Sequence, residues 1–335
     1  AYLNRTPSSA SNRKTWTWSS WVKRERASGG TDRFLFIAGM ANGSDNIAHL
    51  SFDSNDRLRL YGVTGSFDYK IRTNGVYRDF SAWYHVVVAF DTTQATASNR
   101  IKLYVNGVQV TDLGQADYPS QNHDSYFNNT DLHNIGRYNG GSTQWFQGYM
   151  AEINFIDGTA LTPSSFGETN EDTGQWNPKR YIGSYGTNGF YLNFSNNSST
   201  SALGTDSSGN GNNWTTNNFS VSAGAGNDSL EDTPTNNFPT INPLAGYSTN
   251  FVSISNGGLD FSLADNHWAI SSFKIPASGK WYAECVFTDI QTGDVAVFNP
   301  NMINDDSNSF DGRWNGIALK QYGDIRVDNS TTQPS

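Results

Sequence analysis

One cysteine in 335 residues, Cys285, excludes a disulfide within the chain, and with it the stapled framework of small secreted domains. Its setting, Trp-Tyr-Ala-Glu-Cys-Val-Phe, reads as a buried strand. Charge is scarce too, at 16%, and it leans acidic, with a formal net charge of −9 and a pI near 4.9. Because phosphate binding needs clustered Lys and Arg, that balance argues against a nucleic acid or an acidic membrane as partner. No apolar run reaches the roughly 18 residues of a membrane helix, and no charged-then-apolar leader opens the chain. The expectation is a soluble protein without a signal peptide; its start at Ala1 rather than Met suggests processing or a piece of something longer.

What the chain has in quantity is 14% aromatic residues and 32 glycines, which with few helix-forming runs fits many short strands joined by polar turns. The expected class is all-β. A length of 335 residues exceeds one comfortable core, so two or three domains of about 100 to 200 residues are expected. The most informative stretch runs from Trp83 to Val110. Ile101, Leu103 and Val105 alternate with Lys102 and Tyr104 before Asn106-Gly107, the pair favoured where a two-residue hairpin turn needs positive φ. An antiparallel sheet with one wet face follows from that alternation.

Further strands are expected at Trp16–Lys23, Phe34–Gly39, His49–Phe52 and Arg57–Tyr61, with a turn at Ala41–Asn46 and a long polar excursion from Asp112 to Asp131. In Gly148–Asp157, Ile153 and Phe155 alternate as in a central strand. Residues 167–240 read as a turn-rich intermediate region holding a few strands, among them Gly189–Phe194, with Trp214, Phe219 and Val221 arguing against disorder. A second strand-rich block starts near residue 241, with Phe251–Ile254, Leu259–Leu263, Trp268–Ile270, Lys280–Phe287, Val295–Phe298, Gly316–Leu319 and Ile325–Val327. A sheet ending at that last segment leaves an edge strand unpaired.

Trp18-Ser-Ser-Trp-Val-Lys23, Trp83-Tyr-His-Val-Val-Val88, Tyr104-Val-Asn-Gly107, Ile135-Gly-Arg137 and Gly148–Leu161, in that order, resemble the laminin-G or pentraxin-type branch of the concanavalin A-like jelly rolls over residues 1–166. Asp206-Ser-Ser-Gly-Asn-Gly-Asn212 looks like a turn found in such jelly rolls. Leu259–Ser262 with Ser278-Gly-Lys-Trp-Tyr-Ala-Glu284 resembles the front part of a SPRY domain, which makes residues 241–335 a second, incomplete β-sandwich; Asp228–Asn237 looks like its lead-in. The whole series resembles structural or fibre proteins of marine bacteriophages. That resemblance implies a place on a virion surface or outside the cell, other virion subunits and further copies of the chain as partners, and contact with host glycans.

Catalysis finds little footing. Glu152-Ile-Asn-Phe-Ile-Asp157 is similar to the paired-carboxylate strand of jelly-roll glucanases, but the middle Asp is Asn154 and the last position is the shorter Asp157. Retaining hydrolysis needs two carboxyls about 5 to 5.5 Å apart. The ordinary reading leaves Glu152 on the wet face while Ile153 and Phe155 pack inward. His49, His85, His123, His133 and His267 have no zinc spacing, His85 reads as a structural strand residue, and no Gly-x-Ser-x-Gly elbow occurs. Calcium is compatible with Asp45 and Asn46, Asp53 and Asp56, or Asn304, Asp305 and Asp306, yet none matches an EF-hand loop; no cofactor is expected. Sequons at Asn128 and Asn213 follow from abundant Asn, Ser and Thr.

Sugar rings stack on Trp or Tyr while their hydroxyls meet Asn and Asp. Tyr118, His123, Tyr126, Asn128, Asp131, Tyr138, Asn139 and Trp145 have that composition and form the expected ligand-binding loops, with Phe127 and Asn129 among them. The alternative is that these loops bury their own aromatics or meet another subunit. The leading expectation is thus a non-enzymatic virion structural protein, a fibre or surface decoration with lectin-like modules; the alternatives are a secreted carbohydrate-binding module and a divergent glycan hydrolase.

Overall fold

The computed structural model describes residues 1–39, 46–140, 144–224, 226–246, 251–263, 269–273, 278–280, 294–298, 316–320 and 325–328. The chain forms two compact units, one of residues 1–240 with 254–260 and one of residues 241–253 with 261–335. Of the expected strand at Lys280–Phe287 all but Lys280, and with it Cys285, His267 and the Asn304–Asp306 cluster, lie outside the described residues.

The first unit is an antiparallel β-sandwich. Its strands are β1 (Tyr2–Arg5), β2 (Thr15–Arg24), β3 (Arg33–Gly39), β4 (Asn46–Phe52), β5 (Arg57–Thr64), β6 (Ser66–Val76), β7 (Trp83–Asp91), β8 (Ile101–Val105), β9 (Val108–Gln109), β10 (Leu113–Asp117), β11 (His133–Ile135), β12 (Gly148–Asp157), β13 (Gly167–Thr169), β14 (Trp176–Pro178), β15 (Phe190–Leu192) and β16 (Thr215–Asn217). An eight-stranded sheet runs β10-β6-β5-β4-β3-β11-β1-β16, and a six-stranded sheet runs β15-β12-β2-β7-β8-β9. Residues 167–240 are therefore part of the sandwich, since β15 pairs with β12 and β16 with β1. The expected hairpin is present, with Asn106 and Gly107 both at positive φ (50° and 81°) between β8 and β9.

Alternation along the strands fills the space between the sheets. Trp16, Trp18 and Val22 of β2 and Val86, Val88 and Phe90 of β7 meet Leu35, Phe36 and Ala38 of β3, Leu50 and Phe52 of β4, and Leu58 and Leu60 of β5 in one core. Trp18 stacks on Phe36 across the sheets with ring centroids 4.4 Å apart and planes 14° apart, and Phe127 stacks on the far side of Phe36 at 4.5 Å. The wet face expected for the β7–β8 sheet is in fact covered. Val87, Ala89 and Tyr104 point away from the main core, yet they are buried with Ile156, Phe166, Tyr185 and Tyr191. The segment after β12 folds back over that face, a long-range event that no local alternation records.

The sheets are also joined by a buried ion pair at one end. Arg24 at the end of β2 meets Asp56 in the β4–β5 turn at 2.7 Å, with 1% and 2% of the side chains exposed. Arg78 and the Ser28 amide complete the cage around Asp56, each at 2.6 Å, and the Arg24 guanidinium lies 4.4 Å from the Phe52 ring centre. Burial pushes the Asp56 carboxyl up, but the hydrogen bonds from Arg24, Arg78 and Ser28 outweigh it and hold its pKa at about 2.

In the second unit β17 (Ile241–Gly246) pairs with a strand at Ala269–Ser271, and Asp294–Phe298, Gly316–Lys320 and Ile325–Asp328 form a three-stranded antiparallel sheet. Among the described residues, Ile325–Asp328 pairs only with Gly316–Lys320.

Because the folded pKa of Asp56 lies below its unfolded value of about 3.9, its contribution is present above pH 4 and is lost as the pH falls toward 2. Asp56→Asn keeps a residue that tolerates the left-handed φ of 68° but uncouples two arginines. It should cost about 3 kcal/mol at pH 7 and flatten the acid limb of a denaturation series recorded between pH 2 and 6.

Candidate functional site

The two outer faces of the sandwich differ in what covers them. On the six-stranded sheet, Ser19 of β2 and His85 of β7 share a hydrogen bond of 2.9 Å, Trp176 Nε1 donates to His85 Nδ1 at 3.0 Å, and Trp21 stacks on the imidazole at 4.8 Å. An indole only donates, so Nδ1 is the acceptor and the ring is neutral. Burial holds its pKa at about 3, and His85 is the structural side chain its strand position implies. Farther along, Lys23 donates to Asp232, Asn237 and the Phe238 carbonyl, while Trp83 Nε1 donates to Asp232 at 2.9 Å. The chain itself closes this face.

The carboxylates of β12 do not form a catalytic pair. A bulge between Ala151 and Asn154 puts Glu152 at φ 51°. Its carboxylate accepts from Tyr191 Oη at 2.5 Å, and burial pushes its pKa up. Asp157 instead ties the N-terminal segment down, accepting from Ser11 Oγ at 2.5 Å, the Asn12 amide at 3.1 Å, Asn128 Nδ2 at 2.8 Å and the Asn188 amide at 2.9 Å. Glu152 and the covered-face residue Ile156 look one way and Asp157 the other, so the two acids serve opposite sides of the sheet. Ile153 and Phe155 pack inward as expected.

Among the described residues, the outer face of the eight-stranded sheet is the more open one: Arg59, Tyr61, Lys70 and Arg72 are half-buried and Phe67 is exposed, beside a buried floor of Phe34, Ile37, His49, Ser51 and Val63. Strand register sets three rows across it. Phe34, Ser51, Arg59, Arg72 and Gln115 stand opposite one another in the first; Ile37, His49, Tyr61, Lys70 and Asp117 in the second; Ile47, Val63 and Phe67 in the third. Aromatic rings run through them in sequence: Tyr138 to Phe34 at 4.9 Å, Phe34 to His49 at 4.9 Å, His49 to Tyr61 at 5.1 Å and Tyr61 to Phe67 at 6.0 Å. Phe34 and His49 are buried under this ladder, whereas Tyr61 is half-buried and Phe67 is 52% exposed. Burial, then Arg59 and Lys70, push His49 well below its ordinary pKa, so it stays neutral. Arg59 is held by Asp32 at 2.5 Å.

The eight residues expected at the binding loops are not brought to one place. Tyr138 caps the ladder on Phe34. Trp145, whose backbone bridges to Arg137 next to Tyr138, turns instead to β1, edge-on to Tyr2 at 5.5 Å, with the Arg137 guanidinium 4.7 and 4.9 Å from the two ring centres. Asn139 is spent on the Gly39 and Leu132 carbonyls and on Asn134. Tyr126 lies across Gly39, where a β-carbon would meet its ring at 2.3 Å, and burial raises its pKa to about 12. Asp131 accepts from Asn129 at 2.9 Å. His123 faces Asp68 at 3.7 Å and Tyr69 edge-on at 5.7 Å. Tyr118 lines a separate cavity of about 340 Å³ at the sandwich edge, with Ile101, Leu103, Val110 and Leu113. Asn128, expected at a binding loop, is a framework residue instead: it is 2% exposed, and its amide is committed to Asn12 and Asp157. Ser125, Phe127 and Asn128 of the long excursion are buried, so the loop packs part of itself against the framework while most of its other polar residues stay exposed.

The proposed calcium carboxylates that can be seen are similarly committed, Asp53 to Arg57 and Asp56 to Arg24 and Arg78. Among the described residues no group of three or more His, Cys, Asp or Glu side chains is arranged to hold a metal ion. Replacing Asp157 with Ala strands four donors and should cost about 2 to 4 kcal/mol in chemical denaturation, a framework effect unlike the loss of a catalytic acid.

Residues 2–165 match the laminin-G family model described as the concanavalin A-like lectin/glucanases superfamily. A comparison with curated protein sequences finds no match. Among solved structures, the chain is similar to the heptameric SAP-like pentraxin of Limulus polyphemus, with 18% identity and a TM-score of 0.35 over 48% of this chain and 71% of the other. It is also similar to domain 4 of an extracellular arabinanase from Geobacillus stearothermophilus in complex with arabinotriose, with 22% identity and a TM-score of 0.34 over 46% and 65%. The carbohydrate-binding module of a Ruminococcus gnavus sialidase, bound to α2,3-sialyllactose, gives 15% identity and a TM-score of 0.33 over 46% and 80%. Over residues 2–165 the chain therefore carries a domain of the concanavalin A-like lectin/glucanase superfamily, built as an antiparallel β-sandwich.

Proposed function

We propose that the sandwich is a non-enzymatic, lectin-like module that holds a saccharide on the outer face of its eight-stranded sheet. The observation that carries this reading is the ladder ending in half-buried Tyr61 and exposed Phe67, beside Arg59, Lys70, Arg72 and Gln115. Rings on neighbouring strands offer apolar surfaces to the faces of a sugar, and the flanking donors meet its hydroxyls. The concanavalin A-like superfamily, lectins and glucanases together, supports a carbohydrate as ligand. The separation of Glu152 from Asp157 favours binding over hydrolysis.

The motif order and its resemblance to marine phage structural proteins support a place on a virion surface, as a fibre or decoration whose copies assemble with one another. Residues 241–335 would then be the front of a SPRY-like sandwich serving the same particle.

Tyr61→Ala and Phe67→Ala should each weaken glycan binding about three- to tenfold in titration calorimetry while the circular dichroism spectrum is kept. Parent-like affinity in both would remove the ladder from the site. The parent should cleave none of the glycans it binds; an activity abolished by Glu152→Gln would instead make this a hydrolase. A virion subunit should form a defined homo-oligomer by light scattering without sugar, and a monomer would speak for a free carbohydrate-binding module.

A further inference from the structure

The open face carries charge in an arrangement that folding alone disfavours. Arg59 and Arg72 stand directly opposite each other on β5 and β6, and Lys70 stands one row away opposite Tyr61. Like charges in direct cross-strand register destabilise a sheet. This occurs in a chain whose net charge is −9, so acidic partners are not in short supply.

Of the acids nearby, Asp32 pairs with Arg59 and offsets one of the facing charges, and none pairs with Arg72 or Lys70 among the described residues. Asp32 is bound to Arg59 and to the Ser54 amide, Asp53 to Arg57, Asp68 faces His123, and Asp117, opposite Lys70, accepts from Gln115 at 2.6 Å. Arg72 and Lys70 form no hydrogen bond or ion pair among the described residues, and the Nε groups of both Arg59 and Arg72 are buried without an acceptor. Burial first, then Arg59 and Arg72, lower the Lys70 pKa against the weaker pull of Asp117 and Asp53. Lys70 and Arg72 thus flank the half-buried ring of Tyr61 without an acidic hydrogen-bond partner among the described residues.

We propose that this face takes acidic saccharides, holding a carboxylate or sulfate between Arg72 and Lys70 while the sugar ring lies on Tyr61. The inference rests on the saccharide-binding reading and narrows its ligand class. An arginine fork and a lysine point charge are the donors suited to such an anion, and unpaired N–H groups gain most when an acceptor arrives. The cross-strand repulsion is then the cost of keeping the anion site formed without its ligand.

The test immobilises polygalacturonate, a sulfated galactan, neutral dextran and single-stranded RNA, and measures binding of the whole chain to each at low and at near-physiological salt. Polygalacturonate or the sulfated galactan should bind more tightly than dextran, with salt weakening the interaction. Lys70→Gln with Arg72→Gln should lower that affinity at least tenfold, and Lys14→Gln should leave it unchanged. Arg72→Gln alone should raise Tm by about one to three degrees, because it removes the facing charge. Dextran binding equal to that of the acidic polymers, insensitive to the double substitution, would overturn the acidic preference and leave the saccharide reading intact. No binding to any polysaccharide would overturn both. RNA bound as tightly as the acidic saccharides, with the same loss in the double variant, would make this a general polyanion surface and overturn the assignment to sugars.

Discussion

The contact between Trp18 and Phe36 is the one on which the rest of the sandwich depends. One ring comes from the middle of the six-stranded sheet and the other from the middle of the eight-stranded sheet, and Phe127 closes over Phe36 from the long loop after β10. Trp16 extends the seam by stacking on Phe90 at 4.7 Å. Because strand side chains alternate, committing these rings to the interior commits their neighbours to the outside. The identity of each outer face follows directly.

The two outer faces then meet different fates. Thr17, Ser19, Trp21 and Lys23 of β2 are covered by the chain after β12 and by the Asp232 segment, so nearly every polar group there has an internal partner. The outer face of the eight-stranded sheet keeps Tyr61, Phe67, Lys70 and Arg72 at least partly open. A binding surface needs unsatisfied groups, and among the described residues the second face gathers such cations, Lys70 and Arg72, beside an accessible ring. The buried Arg24–Asp56 pair anchors the β4–β5 turn from which Arg57, Arg59 and Tyr61 extend.

Much of this was legible in the chain and some was not. The hairpin at Asn106-Gly107 and the inward alternation of Ile153 and Phe155 come from local rules, and they reappear in the fold. Strand β6, which carries half of the candidate site, is marked in the sequence by Phe67, Tyr69 and Ile71 alternating with Asp68, Lys70 and Arg72, but the register shift that turns Phe67 outward and Tyr69 inward is not. The Asp112–Asp131 stretch, rich in turn residues, also hides β10, whose pairing with β6 is a long-range event. Aromatics in the loops after Val110 suggested sugar contact by composition, but composition cannot say which rings a loop buries; Tyr126 on Gly39 and the committed amide of Asn128 illustrate the difference.

By itself the sequence determined the all-β class, the hairpin, the inward residues of the central strands and the family motifs, because each depends on neighbours within a few positions. The tertiary structure alone decided which face is closed and that Glu152 and Asp157 serve opposite sides. Those outcomes depend on strand register and on segments more than a hundred residues apart coming to lie on one sheet, and nothing local in the chain encodes them.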